Sequence, residues 1–198
     1  NDLDLATVKK EFQFGALFNR NQKLEKGDGV ANFGLELTPS KFGQKEKNLC
    51  GNEATCLSTC LVFSGISNMM KSKSFELSTT LMKRLRRTFL FLNDQDFFLS
   101  KVDLEIKQLE MIGKVAIRLN VFSDLNWDEL LDLTSYNNAI FYDYTKHTAY
   151  LTQTNKNYTF SASEKDSDDD LKTLLKKGYN IAMVFHTNKL PTTWNGFE

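Results

Sequence analysis

Three cysteines and two histidines are the residues of this sequence best suited to nucleophilic chemistry. Cys50 follows a polar stretch, Gln44 to Asn48, and precedes Gly51 and a long apolar run, so the pattern predicts a thiol at the N-terminus of a helix. The helix dipole and the unpaired N–H groups of a first turn stabilise a thiolate placed there. Cys50 is therefore the candidate nucleophile.

A thiol nucleophile needs a base, and the sequence offers two imidazoles. His147 follows a turn at the start of the predicted strand 148–152, where a rigid element would fix its ring while one edge stays accessible. His186 stands late in the chain on an apolar strand and is interpreted as structural. Gln44, six residues before Cys50, could donate its side-chain amide to the oxyanion that forms when a thiolate attacks a carbonyl.

The remaining ligand-type residues have simpler interpretations. Cys56 and Cys60 are expected to be small apolar residues inside the helix, because a four-residue spacing keeps them on one face. Three clustered thiols are no disulfide framework, and they lack the second pair of a familiar zinc site, so neither metal nor cofactor is expected. The run Asp166 to Asp170 is interpreted as a helix cap with first-turn carboxylates rather than a calcium loop.

The first half of the chain has helical periodicity. Apolar residues recur at three- and four-residue intervals, for example at Phe98, Val102 and Ile106. Glycines from Gly27 to Gly43 indicate a loop that leads to Cys50. Helices are predicted over 5–20, 50–70, 75–92 and 94–112.

The second half changes to the alternating pattern of strands, seen clearly where Val115, Ile117 and Leu119 alternate with less apolar neighbours. Strands are predicted over 115–122, 139–144, 148–152, 158–162 and 181–185, and short helices over 127–133 and 168–177. A helix-rich half followed by a meandering antiparallel sheet predicts an α+β domain.

Size and charge narrow the class of protein. A chain of 198 residues fits a single domain, 1–198, made of an N-terminal helix and loop (1–43), a helical half (44–113) and a sheet half (114–198). Its 25 basic and 25 acidic residues give zero net charge, which disfavours a nucleic-acid partner. No stretch reaches the roughly 20 apolar residues of a spanning helix, so no integral membrane segment is expected.

Gln44, the Cys50-Gly51 pair opening a helix, and His147 at the start of a strand follow the order seen in papain-like cysteine peptidases, which the chain resembles. The later strand, acidic turn, helix and final strand are most similar to YopT-type bacterial effector proteases. Around Cys50 to Ala54 the sequence is also similar to the bacteriocin-processing type. The resemblance implies a papain-like α+β fold, with the cysteine on the central helix and the histidine on the antiparallel sheet.

The resemblance also implies a function: a thiol enzyme that cuts a protein substrate, such as a host protein, after secretion or translocation into a reducing host cytosol. Glutamine deamidation and acyl transfer on the same fold are alternatives, and so is an inactive binding module. The family's Asp or Asn, about sixteen residues after the histidine, falls at Ser163 here. The third triad position is therefore open: Glu164 or Asp166 could serve, Ser163 or a backbone carbonyl could orient the ring, or the site has decayed. The oligomeric state is open too.

Overall fold

The computed structural model describes residues 3–21, 29–39, 49–50, 79–152, 158–162, 166–185, 187 and 189–197. Within these ranges the chain divides into two compact units, Asn1–Phe141 and Tyr142–Glu198. Each unit has an apolar core of its own.

The described part of the first unit contains three long helices, and an aspartate caps two of them. The helices are α1 (Leu5–Phe14), α2 (Thr79–Asn93) and α3 (Gln95–Glu110). The Asp4 carboxylate caps α1 by accepting the Thr7 N–H at 2.8 Å, and Asp94 caps α3 by accepting the Phe97 N–H at 3.2 Å. Asp94 therefore separates two helices that follow one another almost without a loop.

The strands of the first unit form one four-stranded sheet in the order β1-β2-β3-β4. They are β1 (Phe18–Arg20), β2 (Ala31–Leu35), β3 (Val115–Arg118) and β4 (Ala139–Phe141). Strands β1 and β2 pair antiparallel, whereas β2, β3 and β4 are mutually parallel. Because parallel neighbours need a crossover, a short helix, α4 (Trp127–Leu130), and a 3-10 helix (Leu133–Ser135) connect β3 to β4.

The core of the first unit lies where the helices cover this sheet. Helix α2 contacts both α1 and α3, and α3 buries Phe98, Val102 and Ile106 completely. Strand β3 buries Val115 and Ile117 with its alternating side chains. The apolar stripe predicted for 94–112 is therefore confirmed as core-facing as far as Leu109, which is partly buried against the core, whereas Ile112 is exposed.

The second unit is a three-stranded parallel sheet in the order β5-β6-β7. Its elements are β5 (Asp143–Thr145), a 3-10 helix (Thr148–Thr152), β6 (Tyr158–Ser161), α5 (Asp168–Lys176) and β7 (Asn180–Ala182). Ser167 caps α5 by accepting the Asp170 N–H at 3.2 Å, and three aspartates occupy its first turn. This confirms the acidic run as a helix start.

The structure confirms a mixed α and β protein, but the predicted antiparallel sheet is wrong. Among the described strands only β1 and β2 pair antiparallel. Alternation reports which side chains face a core, and it carries no information about the direction of the neighbouring strand. Helical connections between successive strands are what make these sheets parallel.

Several element boundaries also differ from the prediction. The N-terminal region is not helix and loop alone, since it contributes β1 and β2. Residues 148–152 form a 3-10 helix instead of a strand, because their apparent alternation is too short to separate the two conformations. The predicted strand 139–144 is two strands interrupted at Tyr142, one in each unit. The predicted helix 50–70 lies outside the described residues apart from Cys50 itself.

Across the parts of the chain that the structure describes, we find no helix with the length and hydropathy needed to cross a bilayer.

Candidate functional site

Cys50 lies in the first unit, against the loop that follows β3. Its sulfur donates a hydrogen bond to the carbonyl oxygen of Phe122 at 3.2 Å. The preceding residue, Leu49, is buried, and its carbonyl oxygen accepts the Asp124 N–H at 2.7 Å. Two successive residues thus attach the thiol to the 120–126 loop, so the Cys50 side chain has a defined position.

That loop is built around the side chain of Asn120, which is 1% exposed. Its carbonyl oxygen accepts hydrogen bonds from Ser123 Oγ at 2.9 Å, the Leu125 N–H at 2.9 Å and the Trp127 indole N–H at 3.0 Å. Its amide nitrogen donates to the Leu125 carbonyl at 3.0 Å. Asn120 therefore fixes the loop whose Phe122 carbonyl receives the Cys50 thiol.

The 120–126 loop, which contacts Cys50, lies at the carboxyl edge of the parallel strands. Strand β3 ends at Arg118, two residues before Asn120, and the Val121 N–H donates to the carbonyl of Leu35, the last residue of β2, at 3.4 Å. In open parallel sheets the loops that follow the strands converge outside their carboxyl ends, and ligands bind there where the strand order reverses. The described strands β2, β3 and β4 follow chain order, so Cys50 lies at the carboxyl edge without such a reversal beside it.

An ion pair lies beside the same loop. Arg84 of α2 donates from Nε to Glu36 Oε2 at 2.5 Å, and both side chains are largely buried. The guanidinium carbon of Arg84 lies 4.3 Å from the centre of the Phe122 ring, a cation–π distance. Phe122 therefore contacts a cation through its ring and the Cys50 thiol through its carbonyl oxygen.

Beyond Asn120, the end of the loop and the start of α4 bury oxygens that accept no hydrogen bond from the described residues, among them Asn126 Oδ1 and Asp128 Oδ2. Burial raises the pKa of the Asp128 carboxyl above its usual value of 3.8. The start of α4 therefore carries a carboxylate whose charge is poorly solvated.

His147 belongs to the second unit. It lies two residues after the end of β5 and immediately before the 3-10 helix, so the predicted placement at the entrance of a strand is wrong. Its N–H donates to Thr145 Oγ1 at 2.9 Å, and its ring packs against Tyr150 with centroids 4.8 Å apart. These contacts position both the backbone of His147 and its half-buried imidazole ring.

Other predicted site residues are less fully described. Gln44, Ser163, Glu164 and His186 lie outside the described residues. Asp166, the third alternative for the triad position, lies 3.9 Å from Lys146 Nζ. Cys50 is in the first unit and His147 in the second, and their pairing stays a prediction.

The described residues bear on the expectation that the chain holds no metal. Among the described residues no group of three or more His, Cys, Asp or Glu side chains is placed to hold a metal ion. Cys56 and Cys60 lie outside the described residues, so the three-cysteine stretch is represented there by Cys50 alone.

Sequence reasoning missed Asn120 and Phe122, the residues that position the Cys50 thiol. A signal was present, since the alternation of β3 ends near Asn120 and gives way to a stretch that mixes apolar residues with Ser123, Asp124 and Asn126. A buried asparagine after a strand is a common organiser of a loop, because its amide can both accept and donate.

Fold and site together define a mixed α and β protein with parallel strands and a cysteine at their carboxyl edge. The family model described as "Gene product 88" matches residues 16–197, and the chain belongs to that family. No curated protein and no solved structure matches the chain.

Proposed function

We propose that this protein is a thiol enzyme in which Cys50 attacks an amide carbonyl of a protein substrate. The observation that carries the proposal is the placement of Cys50, which is held at the carboxyl edge of parallel strands by the Phe122 carbonyl and by the Leu49–Asp124 hydrogen bond. The substrate class and a bacterial effector role come from the resemblance to papain-like peptidases. The proposal carries over their chemistry, but not their antiparallel sheet.

The proposed reaction needs a base, because the Phe122 carbonyl accepts the S–H and so favours the protonated thiol. His147 takes that proton as a bond forms between the Cys50 sulfur and the substrate carbonyl carbon. Gln44 and the Cys50 N–H stabilise the oxyanion, and the amine leaves with the proton from His147. Water then hydrolyses the thioester.

The same thioester serves three reactions, and proteolysis is the first candidate. Release of ammonia from a glutamine side chain gives deamidation, and an amine in place of water gives acyl transfer. Incubating the protein with a glutamine-containing peptide and an added primary amine separates the three by product mass, since cleavage, a one-dalton gain and an amine adduct are all distinguishable.

The thiol proposal is tested by the rate of iodoacetamide alkylation of Cys50 as a function of pH, with the labelled cysteine located by peptide mass spectrometry. An activated thiol predicts an alkylation midpoint well below the ordinary value of roughly 8.5. His147→Ala should shift that midpoint upward, whereas the control His186→Ala should not. An alkylation midpoint near the ordinary thiol value that neither substitution changes would favour an inactive binding module on the same scaffold.

A second candidate function departs from the expectation of no metal or cofactor: ligation of a metal or an iron–sulfur cluster by Cys50, Cys56 and Cys60. The observation that favours it is that the first of three thiols within eleven residues follows β2 and reaches the carboxyl edge of a parallel sheet. Thiolates are the ligands preferred by zinc and iron–sulfur clusters, and three of them leave one position open for substrate.

Element analysis separates the two candidates. Protein purified without oxygen is assayed for zinc, iron and acid-labile sulfide, in the parent chain and in Cys50→Ser. Stoichiometric metal that disappears with Cys50→Ser supports ligation, and iron with sulfide identifies a cluster. Metal-free protein whose Cys50 alkylates rapidly supports the nucleophile instead.

A further inference from the structure

A cleft of about 350 Å³ opens in the first unit between the end of α1, the strands β1 and β2, and helix α3. Its walls are mainly apolar and aromatic, formed by Phe14, Phe18, Phe33, Leu109 and Ile112. Small-molecule sites have this size and this predominantly apolar lining with a few polar groups. Cys50 does not line this cleft, so the inference goes beyond the proposed function.

The mouth of the cleft holds large apolar side chains in water. Phe14 is 87% exposed and Ile112 is 68% exposed, and Met111 beside Ile112 is exposed as well. A cluster of exposed apolar side chains at the rim of a concave surface is typical of a binding site, because a bound apolar group would remove that surface from water. The cleft therefore favours a ligand with an apolar body.

The acidic group of the cleft, Glu105, already accepts several backbone hydrogen bonds. Glu105 accepts the Leu17 N–H at 2.8 and 2.9 Å with its two oxygens, and the Phe18 N–H at 3.2 Å. A carboxylate that receives several backbone N–H bonds has its charge stabilised locally. Glu105 therefore forms part of the wall, and its charge does not call for a cationic ligand.

The basic group of the cleft, Lys101, makes only long contacts to its acceptors. The Lys101 side chain is only 13% exposed, yet its ammonium makes long contacts, 3.8 Å to Glu105 Oε1 and 3.4 Å to the Gln13 carbonyl. An ammonium has three donors, and charge-assisted hydrogen bonds are normally about 2.7–2.9 Å long. Lys101 therefore has donor capacity for an anionic group that enters the cleft.

We propose that this cleft binds a small carboxylate carrying an aromatic or aliphatic group. The apolar body lies against Phe18, Phe33 and Leu109, and the carboxylate receives hydrogen bonds from the Lys101 ammonium. The side-chain amide of Gln108, which also lines the cleft, supplies a further polar contact.

The test uses naphthoate as the probe, followed by its own fluorescence on titration with the full chain, and naphthamide as a neutral ligand of nearly the same shape. We expect saturable binding of naphthoate and at least ~10-fold weaker binding of naphthamide, because the charge-assisted hydrogen bond is lost. Equal binding of the two ligands, or no saturable binding of naphthoate, overturns the proposal.

Variants locate the site. Lys101→Met keeps the apolar stem and should weaken naphthoate binding ~10-fold or more while leaving naphthamide binding unchanged. Lys107→Met is the matched control, since Lys107 lies on the same helix in an i,i+4 pair with Asp103 but is 60% exposed and outside the cleft. Ile112→Ser, at an exposed position that should not disturb folding, should weaken both ligands. Naphthoate binding that survives both cleft substitutions overturns the assignment.

Discussion

Asn120 makes most of the side-chain hydrogen bonds described within the 120–126 loop, which contacts Cys50. One buried side chain satisfies the Trp127 indole N–H, the Leu125 N–H and the Ser123 hydroxyl, and it also donates to the Leu125 carbonyl. Removing it leaves several buried polar groups without partners, and such groups each cost about 1–3 kcal/mol.

Asn120→Ala is therefore expected to lower the free energy of unfolding by about 3 kcal/mol or more, measured by urea denaturation. It should also change the rate of Cys50 alkylation, since the Phe122 carbonyl would lose its fixed position. Asn93→Ala is the control, because Asn93 donates to the Phe89 carbonyl at 2.7 Å on an exposed helix surface. A loss no larger than that of the control would contradict the organising role.

At Asp128, in contrast to Asn120, we expect a substitution to stabilise the folded protein. Burial raises the pKa of its carboxyl above 3.8, so ionisation costs the folded protein more than the unfolded one. This cost is absent at low pH and appears as the pH rises above 3.8. Asp128→Asn should therefore raise Tm at neutral pH, and the gain should shrink in acid. Glu129→Gln, at the exposed neighbouring position, should change Tm little at either pH.

Between elements, Glu105 joins α3 to the chain that connects α1 and β1. Its carboxylate accepts two buried backbone N–H groups, those of Leu17 and Phe18. Glu110, on the same helix, accepts the N–H groups of Asn138 at 2.5 Å and Ala139 at 3.1 Å in a more exposed setting. The two glutamates make similar bonds that differ in access to water.

Glu105→Ala is expected to cost about 3 kcal/mol of unfolding free energy, because water cannot replace the acceptor for both N–H groups. Glu110→Ala should cost less than half as much, since water reaches its partners. Glu105→Gln should retain part of the stability by keeping one acceptor. Equal losses for the two alanine variants would show that burial does not set the cost.

Among the helices and strands, the sequence predicted the helices better than the pairing of the strands into sheets. Helix α3 was predictable because its apolar stripe and the Asp94 cap act within one segment. The direction of β3 relative to β2 depends on a distant partner and a crossover, which alternation at Val115 to Arg118 cannot report. For the same reason the sequence singles out Cys50 as a candidate nucleophile, but its contact with Phe122 was not predictable.

For the whole molecule, three described carboxylates with lowered pKa values contribute to the response to acid. The pKa of Asp94 is lowered by its hydrogen bonds from Lys9 and the Phe97 N–H, that of Asp103 by Lys107 and Tyr136, and that of Asp4 by Thr7. These interactions contribute their full stability above the usual value of 3.8 and lose it as the pH falls through the lower folded-state values.

The free energy of unfolding should accordingly be flat near neutral pH and decline as the pH falls below 3.8, measured by urea denaturation at a series of pH values. Asp103→Asn should make the decline shallower, because one of the carboxylates that must be protonated is gone. A profile that stays level into strong acid would contradict this account.

The order of the strands also bears on how the chain emerges during synthesis. Strands β1 and β2 are near neighbours in sequence and can pair at once, but β2 must wait for β3, since Ala31 pairs with Val115. Until then the nascent chain exposes an open strand edge bearing Phe33 and Leu35, a template for pairing with other chains. This edge of β2 therefore stays open to such pairing until the Val115–Arg118 segment has left the ribosome.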